Sequence, residues 1–176
     1  MFASEIRKRR VQHLRAYSNL RWHLDEVFVK INGEMYYLWR AVDYGGEVLE
    51  SFVTKCRDHK AALKFLRKSM RRFGNPVVVV TDKLRSYCAA MKVIGNAKRQ
   101  ETGRWLNNRA ENSHLPFRRR ERAMLRFRQM RSLQKFVAGH ASVYNHFNRE
   151  RHLYSRANFK LNRAAALDER RQLFAA

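Results

Sequence analysis

The chain has 176 residues, enough for one domain that buries a mixed sheet and its helices. Hydrophobic residues make up 45% of the sequence, which argues against wholesale disorder. The sequence contains 38 Lys and Arg against 15 Asp and Glu, a formal charge of +23 that favours a nucleic acid over a membrane as polyanionic partner. We find no apolar run that could span a bilayer, no signal peptide and no CxxC motif, so we expect a cytoplasmic, nucleoid-associated protein without a membrane partner.

A basic N-terminal arm (residues 1–21) precedes a segment with the period-two pattern of a strand. One face of this strand carries Asp25, Val27, Val29 and Ile31, and the other carries Glu26, Phe28 and Lys30. Asn32-Gly33 is a strong signal for a two-residue hairpin, so a second strand is predicted over 36–42. Residues 43–46 form a further turn signal, and a third antiparallel strand is predicted over 48–53.

The period then changes to that of a helix, for which Asp58 is the predicted N-cap. Its apolar stripe consists of Ala62, Phe65, Leu66, Ser69 and Phe73. After the stop signal at residues 74–76, the β-branched run 77–80 predicts a central strand buried on both faces. We predict a helix over 84–93, no defined element over 95–104, and another helix from about Arg109.

This order of elements predicts a mixed α/β protein with an RNase H-like fold, in which helices flank a central mixed sheet. We expect that fold to occupy residues 22–127. A helical C-terminal extension is predicted over 128–176. Its stripe at helical spacing, which should pack onto the domain or onto a partner subunit, consists of Leu133, Phe136, Val137, His140, Tyr144 and Phe147.

Three carboxylates lie where a metal site could be built on this fold. Asp25 shares a strand face with apolar residues, and a carboxylate there is unfavourable unless it is paired or metal-bound. Asp82 follows the buried strand, at the end where sheet enzymes place ligand-binding residues. Glu111 falls in the first turn of a helix that Asn107 or Asn108 can cap. Each also has a structural explanation, because Asp25 could begin an edge strand, Asp82 could cap a helix, and acids are favoured near helix N-termini.

The neighbours of these carboxylates carry a family resemblance. The segments are Trp22-His23-Leu24-Asp25-Glu26, Thr81-Asp82-Lys83, Asn107-Asn108-Arg109-Ala110-Glu111-Asn112-Ser113-His114 and Arg118-Arg119-Arg120-Glu121-Arg122. In this order they resemble the transposases of the IS-six insertion-sequence family, and the similarity extends over about 22–147. The resemblance implies a DDE DNA transposase on an RNase H-like core, with Asp25, Asp82 and Glu111 as the catalytic, metal-binding triad. It further implies magnesium as cofactor, with manganese as a substitute, and a homodimer acting on double-stranded DNA at insertion-sequence ends and target sites.

The resemblance also implies a phosphate-binding cation seven residues after the glutamate, which here is Arg118. In a continuous helix Glu111, His114 and Arg118 would share a face, although Pro116 is expected to kink that helix. The other basic residues expected to bind DNA are Lys83, Arg119, Arg120 and Arg122.

Other features leave alternatives open. For Trp105 we expect a core or interface position, the alternative being stacking on a displaced base. Family members place a helix-turn-helix segment ahead of the catalytic domain, and the 24 residues before Asp25 are too few for it, so we expect that segment to be missing. An RNase H-like nuclease or resolvase without joining activity is one alternative function. A truncated, non-catalytic DNA-binding protein is the other.

Overall fold

The computed structural model describes residues 21–103, 105–124, 127–147 and 155–175. The described residues form five strands: β1 (Arg21–Ile31), β2 (Glu34–Asp43), β3 (Val48–Thr54), β4 (Val78–Thr81) and β5 (Gln100–Thr102). They also form five α-helices: α1 (His59–Phe73), α2 (Arg85–Ile94), α3 (Asn108–Ala123), α4 (Met130–Phe147) and α5 (Arg156–Ala175). The predicted N-terminal arm lies outside the described residues, apart from Arg21.

The strands form one mixed sheet in the order β3-β2-β1-β4-β5. The pairs β1–β2 and β2–β3 are antiparallel, whereas β4 runs parallel to both β1 and β5. The predicted antiparallel strands, first helix and central strand are therefore confirmed. β5 was missed, because residues 95–104 were expected to lack a defined element. A three-residue strand is too short to show a hydrophobic period, and only its pairing with β4 reveals it.

The turn between β1 and β2 fixes the register of the hairpin. Asn32 and Gly33 both have positive φ, at 50° and 86°, as a two-residue turn that matches the strand twist requires. Ile31 therefore pairs with Glu34, and the same register brings Arg40 opposite Asp25. The hairpin prediction is confirmed, and it determines which residue the first carboxylate faces.

Apolar residues cover both faces of the sheet. On one face, Trp22 and Leu24 of β1 belong to a fully buried cluster with residues of α1 and α2. On the other face, Val29 and Ile31 are buried in a second cluster that includes Phe117 of α3. The predicted apolar row of β1 therefore faces α3 and α4, and Asp25 lies on the same side of the strand.

Helix α1 begins and ends where the sequence predicts. The Asp58 carboxylate accepts a 2.8 Å hydrogen bond from the backbone N–H of Ala61, and every residue of the predicted stripe is buried. At the other end, Gly74 adopts a φ of 87° and donates its N–H to the carbonyl of Met70. This helix packs against α2 and closes the first face of the sheet.

Helix α4 covers the outer edge of β3 with two side-chain amides. Gln134 accepts from the N–H of Val53 at 2.8 Å and donates to the carbonyl of Ser51 at 2.9 Å. Asn145 bonds both the N–H and the carbonyl of Val48, at 3.0 and 2.9 Å. An exposed strand edge would leave these groups open to pairing with another chain, and α4 satisfies them within the domain.

The apolar stripe of α4 packs onto the domain, one of its two predicted destinations. Leu133 and Val137 are buried in the second core cluster, with Phe136 packed against it. The domain boundary after residue 127 stays a prediction. Within the described ranges, no helix combines the length and apolar character needed to cross a membrane.

Candidate active site

Strand register brings two of the predicted carboxylates to one place. Leu24 of β1 is level with Thr81 of β4, which is level with Thr102 of β5. Asp25 and Asp82 are the next residues along two neighbouring parallel strands. Adjacent strands lie about 5 Å apart, so the backbones of the two aspartates are neighbours. The two aspartates therefore lie at the level where β4 and β5 end, which is where sheets of this type commonly carry ligand sites.

Glu26, which the sequence analysis did not assign to the site, completes a cluster of three carboxylates. Asp25, Glu26 and Asp82 each offer one carboxylate oxygen, and these oxygens lie within 4.8 Å of one another. Glu26 was assigned only to the strand face opposite Asp25. Because Asp82 extends beyond the end of β4, its carboxylate is close to both faces of β1 at this level. The three side chains could hold a cation that prefers oxygen ligands.

Glu26 is the most buried member of the cluster, with 2% of its side chain exposed. Its Oε1 accepts a 2.7 Å hydrogen bond from Arg57 Nε and also contacts Arg57 Nη2. The other oxygen, Oε2, is buried and has no hydrogen-bond partner among the described residues. Burial, followed by the negative charge of Asp82, raises the pKa of Glu26 to about 7 even though Arg57 opposes the shift. Around Glu26, burial and the charges of the neighbouring acids therefore outweigh the opposing effect of Arg57.

Asp82 is more open, with 37% of its side chain exposed. Its Oδ1 accepts a 3.0 Å hydrogen bond from the backbone N–H of Leu84, which fixes the carboxylate at the start of α2. Burial and the charge of Asp25 raise the pKa of Asp82, while the bond from Leu84 acts in the opposite direction. Arg57 Nη2 lies 4.0 Å from Asp82 Oδ2 and so approaches two of the three acids.

Behind Asp25 lies a buried basic pair. His114 Nε2 of α3 is 3.3 Å from Asp25 Oδ2, and burial lowers the pKa of this histidine. Arg40, the cross-strand partner of Asp25, is fully buried and donates from Nη1 to the carbonyl of Ser113. Its guanidinium lies 5.8 Å from the ring centroid of Phe117, and burial lowers its pKa to about 10. Asp25 is thus held between a cation, a histidine and the other two acids.

Glu111 lies in the first turn of α3 but is exposed, and the described carboxylate cluster does not include it. Asn107 occupies the N-cap position as predicted, yet its side chain does not cap the helix. Instead, Asn107 Nδ2 donates a 2.8 Å hydrogen bond to the carbonyl of Leu24 and ties α3 to β1 beside Asp25. One helical turn after Glu111, His114 contacts Asp25. Glu111 therefore lies on the helix that borders the site.

The structure places the predicted DNA-binding residues around α3 and β4. Arg118 is partly buried, with its guanidinium bonded to Glu121 at 2.6 Å and to the carbonyl of Phe28. Helix α3 continues through Pro116 from residue 108 to residue 123. The remaining candidates are exposed: Lys83, Arg119, Arg120 and Arg122.

Comparisons with known proteins first define the class of protein. The HTLV-2 integrase catalytic core domain in complex with magnesium superposes with a TM-score of 0.50 at 14% identity, over 72% of this chain and 83% of that one. This likeness confirms the predicted RNase H-like fold. A family model for a DDE domain, DDE_Tnp_IS240, matches residues 19–150, so the chain belongs to this transposase DDE-domain family.

Curated relatives agree with the family assignment. The chain is 31% identical over 145 residues to the transposase for insertion sequence-like element IS431mec of Staphylococcus aureus. The same values apply to the transposase for insertion sequence element IS257 in transposon Tn4003 of Staphylococcus aureus. Each alignment covers 80% of this chain and 62% of the relative, so the chain spans about three fifths of the length of these relatives.

Proposed function

We propose that this protein is the catalytic domain of a DDE transposase that cleaves DNA at insertion-sequence ends and joins it to target DNA. The observation that carries the proposal is the cluster of Asp25, Glu26 and Asp82, whose carboxylate oxygens lie within 4.8 Å of one another. Phosphoryl transfer on DNA requires several carboxylates held on rigid elements. Here two come from neighbouring parallel strands, which fix their separation.

The donor set fits a hard divalent cation. Within the part of the chain that the structure describes, it contains carboxylate oxygens alone, and the buried Oε2 of Glu26 has no hydrogen-bond partner there. Magnesium, or manganese in its place, would activate the attacking oxygen and stabilise the leaving oxygen. The residues proposed to hold it are Asp25, Asp82 and Glu111, the last because the family resemblance implies it. Glu26 lies closer to the two aspartates and is the competing third ligand.

The proposed substrate is double-stranded DNA, the insertion-sequence ends and the target. Lys83, directly after Asp82, and the exposed arginines of α3 would bind its phosphates. Arg118 would have to exchange its bond to Glu121 for a phosphate. We further propose a homodimer, because a transposition reaction brings two ends together, acting in the bacterial cytoplasm on nucleoid DNA.

A strand-transfer assay tests this function. The substrates are pre-cleaved insertion-sequence ends, incubated with target DNA and magnesium or manganese. Joined product that disappears in Asp82→Asn supports the transposase. Cleavage without joining would instead identify a nuclease or resolvase, and metal-independent binding alone a non-catalytic DNA-binding protein.

The same assay assigns the third carboxylate. Glu111→Gln and Glu26→Gln are compared with Glu34→Gln, an exposed glutamate at the start of β2 that pairs with Lys55. The proposal requires Glu111→Gln to lose joining activity while Glu34→Gln retains most of it. Full activity in Glu111→Gln would contradict the assignment.

A further inference from the structure

The loop between β5 and α3 begins at the edge of the sheet where the carboxylates lie. Thr102 is level with Thr81 and Leu24 in the three parallel strands, so Gly103 is the β5 counterpart of Asp82 and Asp25. At its other end, the loop is fixed by the hydrogen bond from Asn107 to the Leu24 carbonyl. Both ends of this short loop are therefore anchored beside the candidate active site.

Trp105 lies in the middle of this loop with 70% of its surface exposed. Trp22 and Trp39, the other tryptophans of the chain, have no exposed surface. Of the two positions expected for Trp105, the exposure contradicts the core position, whereas the interface position stays a prediction. Burial in the core would have stabilised the ring, so its position calls for another explanation.

The loop conformation keeps the tryptophan at the surface. Trp105 has a φ of 72°, in the left-handed region that bulky side chains adopt rarely. Leu106 folds back over Gly103, so closely that a Cβ added to Gly103 would lie 2.7 Å from Leu106 Cδ1. Leu106, itself 42% exposed, thus packs against Gly103, while the tryptophan stays exposed. Rare backbone conformations of this kind concentrate at ligand-binding sites.

We propose that Trp105 is a stacking platform for an unpaired nucleobase at the end of the DNA substrate. This inference rests on the proposed function, because it takes the polyanion at the carboxylate edge to be DNA. The faces of bases inside a duplex are already covered by their neighbours. A frayed or flipped base offers a free face, and an exposed indole binds such a face with little dependence on sequence. Exposed Lys83, next to Asp82 at the same edge, can bind the adjoining phosphate.

The test compares two DNA duplexes of equal double-stranded length, one blunt and one with a three-nucleotide single-stranded extension. Binding to the full chain is measured in EDTA by anisotropy of labelled DNA and by quenching of tryptophan fluorescence. The tailed duplex should bind more tightly and quench the exposed tryptophan, whereas Trp22 and Trp39 are buried and should contribute little quenching. Since base–aromatic stacking is worth about 1–3 kcal/mol, Trp105→Ala should weaken tailed-duplex binding about 5- to 150-fold and blunt-duplex binding less than twofold.

Two further variants separate the ring from the loop. Trp105→Gly removes the ring but accommodates the left-handed backbone, whereas Trp105→Phe keeps an aromatic face. If stacking is the cause, Ala and Gly lose the preference for the tailed duplex equally, and Phe retains part of it. Loss in Ala with retention in Gly would show that the loop conformation matters and overturn the proposal. Equal weakening on both duplexes, or no change in Trp105→Ala, would also overturn it.

These outcomes are independent of chemistry at the carboxylates. Leu115→Ala serves as the matched control, because Leu115 is an exposed apolar residue of α3 outside the loop. A protein that shows the tail preference but never joins DNA would refute the transposase function and retain the stacking site. A protein that joins DNA normally with Trp105→Ala and shows no tail preference would refute only the stacking site.

Discussion

The buried carboxyl of Glu26 should make the metal-free protein less stable as the pH rises. Its pKa is about 7 in the folded protein against an ordinary value of 4.5. Between these values the folded state holds a proton that the unfolded state has released, so the free energy of unfolding falls with increasing pH. Each unit of pKa difference corresponds to about 1.4 kcal/mol, and integration from pH 5 to pH 8 gives a loss of about 2.5 kcal/mol.

Glu26→Gln removes this titration while keeping the shape of the side chain. Urea unfolding of both proteins in EDTA, followed by circular dichroism at pH 5, 6, 7 and 8, gives the difference in stability at each pH. Between pH 5 and pH 8, the free energy of unfolding of the variant should rise by about 2–3 kcal/mol relative to that of the wild-type protein. In the wild-type protein, the loss of stability should begin near the ordinary pKa of a glutamate and level off above about pH 7.

Glu34→Gln is the control on the same hairpin. Glu34 lies fully exposed beside Lys55, which lowers its pKa by hydrogen bonding and by charge, so its replacement should not reproduce the trend. If the difference between the wild type and Glu26→Gln stays within about 0.5 kcal/mol across this pH range, Glu26 titrates as an ordinary acid. Burial and the neighbouring acids would then not outweigh Arg57 at Glu26.

Three further predictions test the parts that hold the site. Gln134→Leu leaves the Val53 N–H and the Ser51 carbonyl without side-chain partners, so it should lower the free energy of unfolding by about 1–3 kcal/mol in urea titrations. Exposed Gln172→Leu is the control and should change it by less than about 0.5 kcal/mol; an equally small effect of Gln134→Leu would contradict the role of Gln134. Gly33 has a φ of 86°, so Gly33→Ala should lower the free energy of unfolding by about 1 kcal/mol. At Gly139 in α4 an added Cβ meets open space, so Gly139→Ala should raise the free energy of unfolding by about 0.5–1 kcal/mol; a change of the same sign in both variants would refute the turn assignment. His114→Gln should weaken magnesium binding, measured by calorimetry, about 10-fold or more because His114 orients Asp25, and unchanged affinity would rule that out.

Sequence periodicity was sufficient to predict an element and its core face where the element is long and one of its faces is buried. The alternation in β1 and the stripe of α1 each identify a core face, and the Asn32-Gly33 turn sets the hairpin register. The same register also fixes the cross-strand partner of Asp25. Pairing Ile31 with Glu34 necessarily places Arg40 opposite Asp25, so the buried cation behind the first carboxylate could have been predicted.

Other parts of the site depend on contacts that local sequence does not encode. Asn107 has the side chain of a helix cap, but the Leu24 carbonyl, distant in sequence, is its partner. Arg57 lies three residues after the end of β3 and has no local sequence signal. Its contact with Glu26 arises only because β3 and β1 belong to one sheet. In both cases a local rule identifies the hydrogen-bonding capacity of the residue, and the fold selects its partner.

For the third carboxylate, the family motif indicates Glu111 and the structure indicates Glu26. Electrostatics explains how both residues can belong to one site. Glu26 is buried, paired with Arg57, and within reach of both aspartates, as expected for a group that sets the charge of the cluster before any cation binds. Glu111 is exposed on a helix joined to β1 through Asn107 and His114, as expected for a ligand that closes over a bound ion. A cation at Asp25 and Asp82 would attract an exposed carboxylate on the neighbouring helix more readily than one already bonded to an arginine. We therefore propose separate roles for the two glutamates, in which Glu26 sets the charge of the site and Glu111 supplies the third ligand, and the comparison of Glu26→Gln with Glu111→Gln tests this division.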